Sequence, residues 1–122
     1  MNRIRILVLN GRFIVPGQIQ SLPLVSETLV YETIDPGIVI NILQENAIDI
    51  VVLDIGHLNG KGTSFIRSVR SCNPDVDIVL VAPANDHPPD KACGSIQLLK
   101  GAPGREELQL AIEMTNSYKK YL

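Results

Sequence analysis

The sequence predicts an α/β sandwich of three layers, in which a five-stranded parallel sheet lies between two layers of helices. Three observations predict it. Five short strand-like runs, Ile4 to Leu9, Leu29 to Ile34, Ile50 to Leu53, Asp77 to Val81 and Ser95 to Leu99, are each bounded by turn residues, as strands are. Several are continuous apolar stretches with no polar alternation, which marks strands buried on both faces. Segments with apolar residues at helical spacing follow them, and that alternation argues for parallel strands joined by right-handed crossovers.

The elements follow in order. Ile4 to Leu9 ends at Asn10-Gly11, a strand-to-loop corner. Pro16 and Pro23 bracket Gly17 to Leu22; because proline lacks an N–H and clashes inside a helix, any helix here is at most about two turns long or irregular. After the Leu29 to Ile34 strand, Asp35-Pro36 sets a capping carboxylate before a residue suited to the first helical position. Ile38, Val39, Ile42 and Leu43 then predict a helix to about Glu45. The run Ile50 to Leu53 closes on Asp54. Gly62-Thr63-Ser64 opens a helix with Phe65, Ile66 and Val69 on one face, and Asn73-Pro74 stops it. Ala82 to Pro89 is too rich in proline for a regular helix until Asp90 to Cys93, where Gly94 ends the turn. Ser95 to Leu99 is terminated by Lys100-Gly101. From Arg105, the spacing of Leu108, Ala111, Ile112 and Thr115 predicts one final helix. Glu106 and Glu107 lie in its first turn and Lys119 and Lys120 in its last, both favourable to the helix dipole.

A chain of 122 residues is one domain, 1–122, long enough to bury a single core. Its composition, 45% apolar and 20% charged, is that of an ordinary globular protein. A net charge of −2 leaves no basic stripe for nucleic acid and no polybasic segment for lipid, so neither direct nucleic-acid binding nor membrane attachment is expected. Cys72 and Cys93 belong to no CxxC or Cys/His cluster, which argues against a disulfide framework or zinc site and for reduced thiols in the cytoplasm. The apolar run Ile6 to Leu9 is too short for a signal-peptide core or a membrane span.

In an open parallel sheet, ligands bind outside the carboxyl ends of the strands, which places Asn10, Asp54, Ala82 and Lys100 along the candidate edge. Two readings of Asp54 stand open: a site carboxylate, or a residue that caps its own turn. His57 and His87 lack spaced partners and read as solvated loop residues rather than metal ligands. Leu110, Met114, Tyr118 and Tyr121 extend an apolar stripe beyond the core face of the last helix. That stripe reads either as cover for the sheet edge or as a surface for a partner or a second copy of the chain.

Val52-Leu53-Asp54-Ile55, Gly62 eight residues beyond the aspartate, and a lysine ending the last strand give the chain a resemblance to the receiver domains of bacterial response regulators. The resemblance covers essentially the whole length. It implies a flavodoxin-like, receiver-like sandwich with strand order 2-1-3-4-5. It also implies a role in a two-component phosphorelay as a signalling domain rather than an enzyme, with a histidine kinase or other signalling protein as partner. Receivers are often followed by an output domain, so the chain can be a piece of a longer response regulator. By position Asp54 inherits the phosphoacceptor role and Lys100 the phosphate contact; the plainer alternative for Lys100 is an ion pair with Asp54.

The departures from that family are as informative as the match. Receivers carry an acidic pair at the end of the first strand that holds Mg²⁺ with the phosphoacceptor. Here Asn10 and Gly11 stand in those positions. Mg²⁺ relies on carboxylate charge to compete with its waters, so its binding is expected to be weak and no cofactor is assigned. Phosphorylation is then slow or absent, because the metal neutralises charge during transfer. At the switch positions Ala82 replaces a hydroxyl residue and Gln97 an aromatic one, Gly101 follows the lysine, and Pro88-Pro89 break the fourth helix. The resemblance is therefore to a degenerate, or pseudo-, receiver working as a protein-interaction module. The alternatives are an active receiver phosphorylated slowly at Asp54 with Mg²⁺, and a small flavodoxin-like nucleotide-binding enzyme. Against the enzyme, no GxGxxG or GxxxxGK[ST] follows a strand.

Overall fold

In the computed structural model, which describes residues 3–24, 27–56, 58, 60–84 and 96–120, strands β1 (Ile4–Leu9), β2 (Thr28–Thr33), β3 (Ile50–Asp54), β4 (Asp77–Ala82) and β5 (Ile96–Lys100) form one sheet. Its order is β2-β1-β3-β4-β5 and every pair is parallel. This is the topology that the sequence resemblance implied. Helices α1 (Pro36–Glu45), α2 (Gly62–Cys72), α3 (Arg105–Glu113) and α4 (Asn116–Lys119) complete the described elements.

Strand alternation divides the core in two. Leu7, Leu9, Val51, Leu53, Ile78 and Leu80 face one side, where Val39 and Leu43 of α1 and Ile66 and Val69 of α2 cover them. Ile4, Ile6, Val8, Ile50, Val52, Val79 and Val81 face the other, under Leu108, Ala111 and Ile112 of α3. Beside α3, the second face is covered by residues 11–24, a strap with no helix in it that nonetheless seats Ile14, Ile19 and Leu22 in the core. Pro16 and Pro23 remove two backbone donors, and Gly17 takes a positive φ of 85°, so the segment proceeds by turns. The irregular form expected for this stretch is the one adopted.

Asp35 caps α1 as the sequence suggested, its Oδ1 accepting from Gly37 N at 2.8 Å. Strand limits move by a residue: β2 stops at Thr33, leaving Ile34 70% exposed, while β4 reaches Ala82 and β5 reaches Lys100. His57, His87, Pro88-Pro89, the turn expected at Asp90 to Cys93, Ser95 and Tyr121 lie outside the described residues.

The last helix corrects the expectation of a single element from Arg105 to Lys120. It stops at Glu113, and Thr115 adopts an extended backbone, φ −70° and ψ 151°. The Thr115 hydroxyl donates to Ile112 O at 2.7 Å and accepts from Tyr118 N at 3.3 Å, ending one helix and capping the next. Apolar spacing reads through this break because both pieces keep their core contacts. The short α4 docks at the amino-terminal edge of the sheet, where Ser117 N donates to Asp77 Oδ2 at 2.7 Å and Ser117 Oγ to Asp49 O at 3.2 Å. That redirection carries Tyr118 into the core at 1% exposure, so Tyr118 is no part of a surface stripe. Leu110 and Met114 remain outside, 60% and 47% exposed. No helix of the described residues is long and apolar enough to cross a membrane.

The break predicts an asymmetry between neighbouring substitutions. Tyr118→Ala should cost about 3–5 kcal/mol, the range for emptying a buried aromatic site. Met114→Glu should stay within about 0.5 kcal/mol, as exposed positions do. Urea unfolding of both variants measures the difference, and similar small effects would contradict the broken helix.

Candidate functional site

Strand parity assembles the site. Val8, Val30 and Val52 belong to the core face beneath the strap, and Asn10, Glu32 and Asp54 each lie two residues further on. A period of two returns them to that same face, at the carboxyl edge of three adjacent strands.

Asp54, the last residue of β3, has 0% exposure. Its Oδ2 accepts from the backbone N–H groups of Phe13 at 2.5 Å and Ile14 at 2.7 Å, and its Oδ1 accepts from Gly56 N at 3.0 Å. The Gly56 bond is the local turn cap that the sequence left open as one reading of this aspartate. The other two bonds come from the strap, which lies over the carboxylate and closes it off. Close approach is permitted by Gly56: a Cβ there would fall 2.8 Å from Phe13 Cε2 and 2.9 Å from Arg12 Cβ, which no neighbour could accept without moving. On the strap itself the Arg12 guanidinium lies 5.2 Å from the Phe13 ring centroid.

A second carboxylate holds the strap further along. Glu32 accepts from Gly17 N with both oxygens, at 3.0 and 3.1 Å, and from Asn10 Nδ2 at 3.4 Å. Asn10 is 2% exposed, and its Oδ1 is buried without a donor among the described residues. Gly11 is part of the strap, its N–H donating to Ile14 O at 3.1 Å.

The other residues singled out in the sequence lie apart from this cluster. Lys100 is exposed and stands opposite Ala82 in register. Ala82 packs in the core on the α1/α2 face, so both residues fall on the face opposite Asp54. Lys100 makes no ion pair among the described residues, where Arg3 and Glu27 at 3.2 Å are the pair within bonding distance. The plainer alternative of a Lys100–Asp54 ion pair is thus not formed. Gln97 is half-buried and lines a groove with Leu99, Glu107, Leu110, Ala111 and Met114.

The residues present do not fit Mg²⁺. A hard cation needs oxygen lone pairs turned toward it, whereas both oxygens of Asp54 are turned toward N–H groups whose positive ends would oppose a cation. Among the described residues no group of three or more His, Cys, Asp or Glu side chains could hold a metal.

Glu32, Gly56 and the N–H groups of Phe13, Ile14 and Gly17 escaped the sequence reading. Two signals pointed to the side chains: the shared two-residue offset of Asn10, Glu32 and Asp54 from core valines, and a glycine two residues after an aspartate. Nothing in residue types identifies which loop amides will reach a carboxylate.

No protein-family model matches the chain, and no curated protein matches it. Among solved structures, the crystal structure of a two component transcriptional regulator AraC from Clostridium phytofermentans ISDg is similar, with a TM-score of 0.73 at 16% sequence identity. The likeness covers 95% of this chain and 92% of that one. At this identity it establishes a common fold.

The geometry predicts that Asp54 stabilises the protein. In Asp54→Ala three N–H groups lose their acceptor, the buried one of Ile14 and the part-buried ones of Phe13 and Gly56; since a buried donor left unmatched costs about 1–3 kcal/mol, the loss should be at least about 1–3 kcal/mol. Urea denaturation measures it. A carboxylate kept for chemistry at the expense of stability would give the opposite sign, so a neutral or stabilised variant would contradict the assignment.

Proposed function

We propose that the chain is a receiver-type module of a two-component signal transduction system that acts by binding a partner protein through a fixed surface, with Asp54 as an anchor of the fold rather than a phosphoacceptor. The common fold with a two component transcriptional regulator supports the first part. The observation that carries the second is the enclosure of Asp54: no exposed surface, and both oxygens engaged by N–H groups of Phe13, Ile14 and Gly56.

Phosphoryl transfer requires an oxygen to approach phosphorus in line while positive charge neutralises the moving group. Asp54 presents no exposed oxygen to a donor arriving from solvent, and Lys100 forms no ion pair with it among the described residues. The response is also unsupported. Ala82 has no hydroxyl to reward a phosphorylated state, and Gln97 has no ring to fill space vacated by one. A ligand that does not distinguish two conformations cannot shift their populations, so the contact surface is constitutive. The partner is a histidine kinase or another signalling protein, met in the cytoplasm. The exposed Leu110 and Met114 of α3, with the groove beside β5, supply the contact face, which can also pair two copies of the chain.

Incubation with Mg²⁺ and a small phosphodonor, followed by intact-protein mass spectrometry, is expected to leave Asp54 unmodified. Efficient Mg²⁺-dependent phosphorylation at Asp54 would overturn the proposal in favour of an active receiver.

A further inference from the structure

We infer that Glu32 is a positioning residue that keeps the strap closed over Asp54, so that the two carboxylates work as coupled latches of one gate. The inference rests on the reading of Asp54 as an anchor, and adds what controls access to it.

The coupling follows from the stretch between the latches. Phe13 and Ile14 bind Asp54, and Gly17, three residues on, binds Glu32. The intervening residues form a braced turn: Val15 N donates to Gln18 Oε1 at 3.2 Å, Gln18 N donates back to Val15 O at 3.2 Å, and Pro16 fixes its own φ. Gly17 at φ 85° turns its N–H to the Glu32 carboxylate. A turn locked at both ends transmits displacement, so Gly17 cannot leave Glu32 without straining the Ile14 bond to Asp54.

Two further features bear on which way the gate leans. Asn10 Oδ1, buried without a donor among the described residues, is a cost carried beside the latch. Glu32 offsets it by gathering Gly17 N and Asn10 Nδ2 on one carboxylate. The two latches also differ in access. Asp54 is sealed, whereas Glu32 is half-buried on β2, an edge strand, and is therefore the latch that solvent or a bound molecule reaches first.

Amide hydrogen exchange by NMR tests the coupling with Glu32→Ala and the conservative Glu32→Gln, which keeps an acceptor oxygen for Gly17. In Glu32→Ala, exchange at Phe13 and Ile14 is expected to rise about tenfold or more while Val52 and Val79 in the central strands are unchanged; tenfold corresponds to about 1.4 kcal/mol. Glu32→Gln should fall between wild type and Glu32→Ala. Carbodiimide-driven coupling of an amine to Asp54, mapped by peptide mass spectrometry, should rise in parallel. Faster exchange confined to Gly17 would overturn the coupling, as would a uniform rise that includes Val52 and Val79. Neither readout needs Mg²⁺ or a phosphodonor, so phosphorylation of the wild-type protein would defeat the anchor reading without deciding the coupling.

Discussion

The structure depends on one carboxylate meeting three peptide N–H groups at the end of its central strand. Buried backbone donors must find acceptors, and a segment that cannot form a helix has donors to place. The strap is such a segment, since Pro16, Gly17 and Pro23 deny it the internal ladder that a helix would provide. Asp54 accepts from two of its amides and Glu32 from a third. With those bonds made, Ile14, Ile19 and Leu22 can seal the sheet face that would otherwise lie open next to α3. Polar anchoring and apolar cover are parts of one arrangement.

This arrangement changes what the carboxyl edge of the sheet can do. In an open α/β sheet that edge is where ligands are met, yet here the chain's own backbone meets the carboxylate. Gly56 completes the closure by letting Phe13 and Arg12 lie against the turn. The position that the family resemblance marks for chemistry has become an interior hydrogen-bond junction. The signalling role proposed for the chain would then fall to surfaces outside the cluster, above all the part of α3 that leaves Leu110 and Met114 in solvent.

Much of this was legible in the sequence. Continuous apolar runs at Ile50 to Leu53 and Asp77 to Val81 identified central strands because burial on both faces leaves no polar alternation, and the Asp35-Pro36 pair marked the start of α1 through capping chemistry. Asn10 and Gly11, standing where the family resemblance implies an acidic pair, raised the expectation of weak Mg²⁺ binding. The break at Thr115 was hidden because a residue that caps a new helix can also sit in an apolar helical pattern. It took the docking of Ser117 on Asp77, a contact between residues forty positions apart, to turn Tyr118 inward. The strap amides were hidden for a similar reason: backbone donors carry no letter of their own, and their partners are chosen by tertiary packing.

The most direct test of the account is NMR detection of through-hydrogen-bond scalar couplings from the amide nitrogens of Phe13 and Ile14 to Asp54 Cγ, recorded on isotopically labelled protein before and after addition of Mg²⁺ and a small phosphodonor. The account predicts that both couplings are present and that neither changes on addition. Absent couplings, with both amides exchanging at solvent rates, or couplings that vanish when Mg²⁺ and the donor are added, would contradict it.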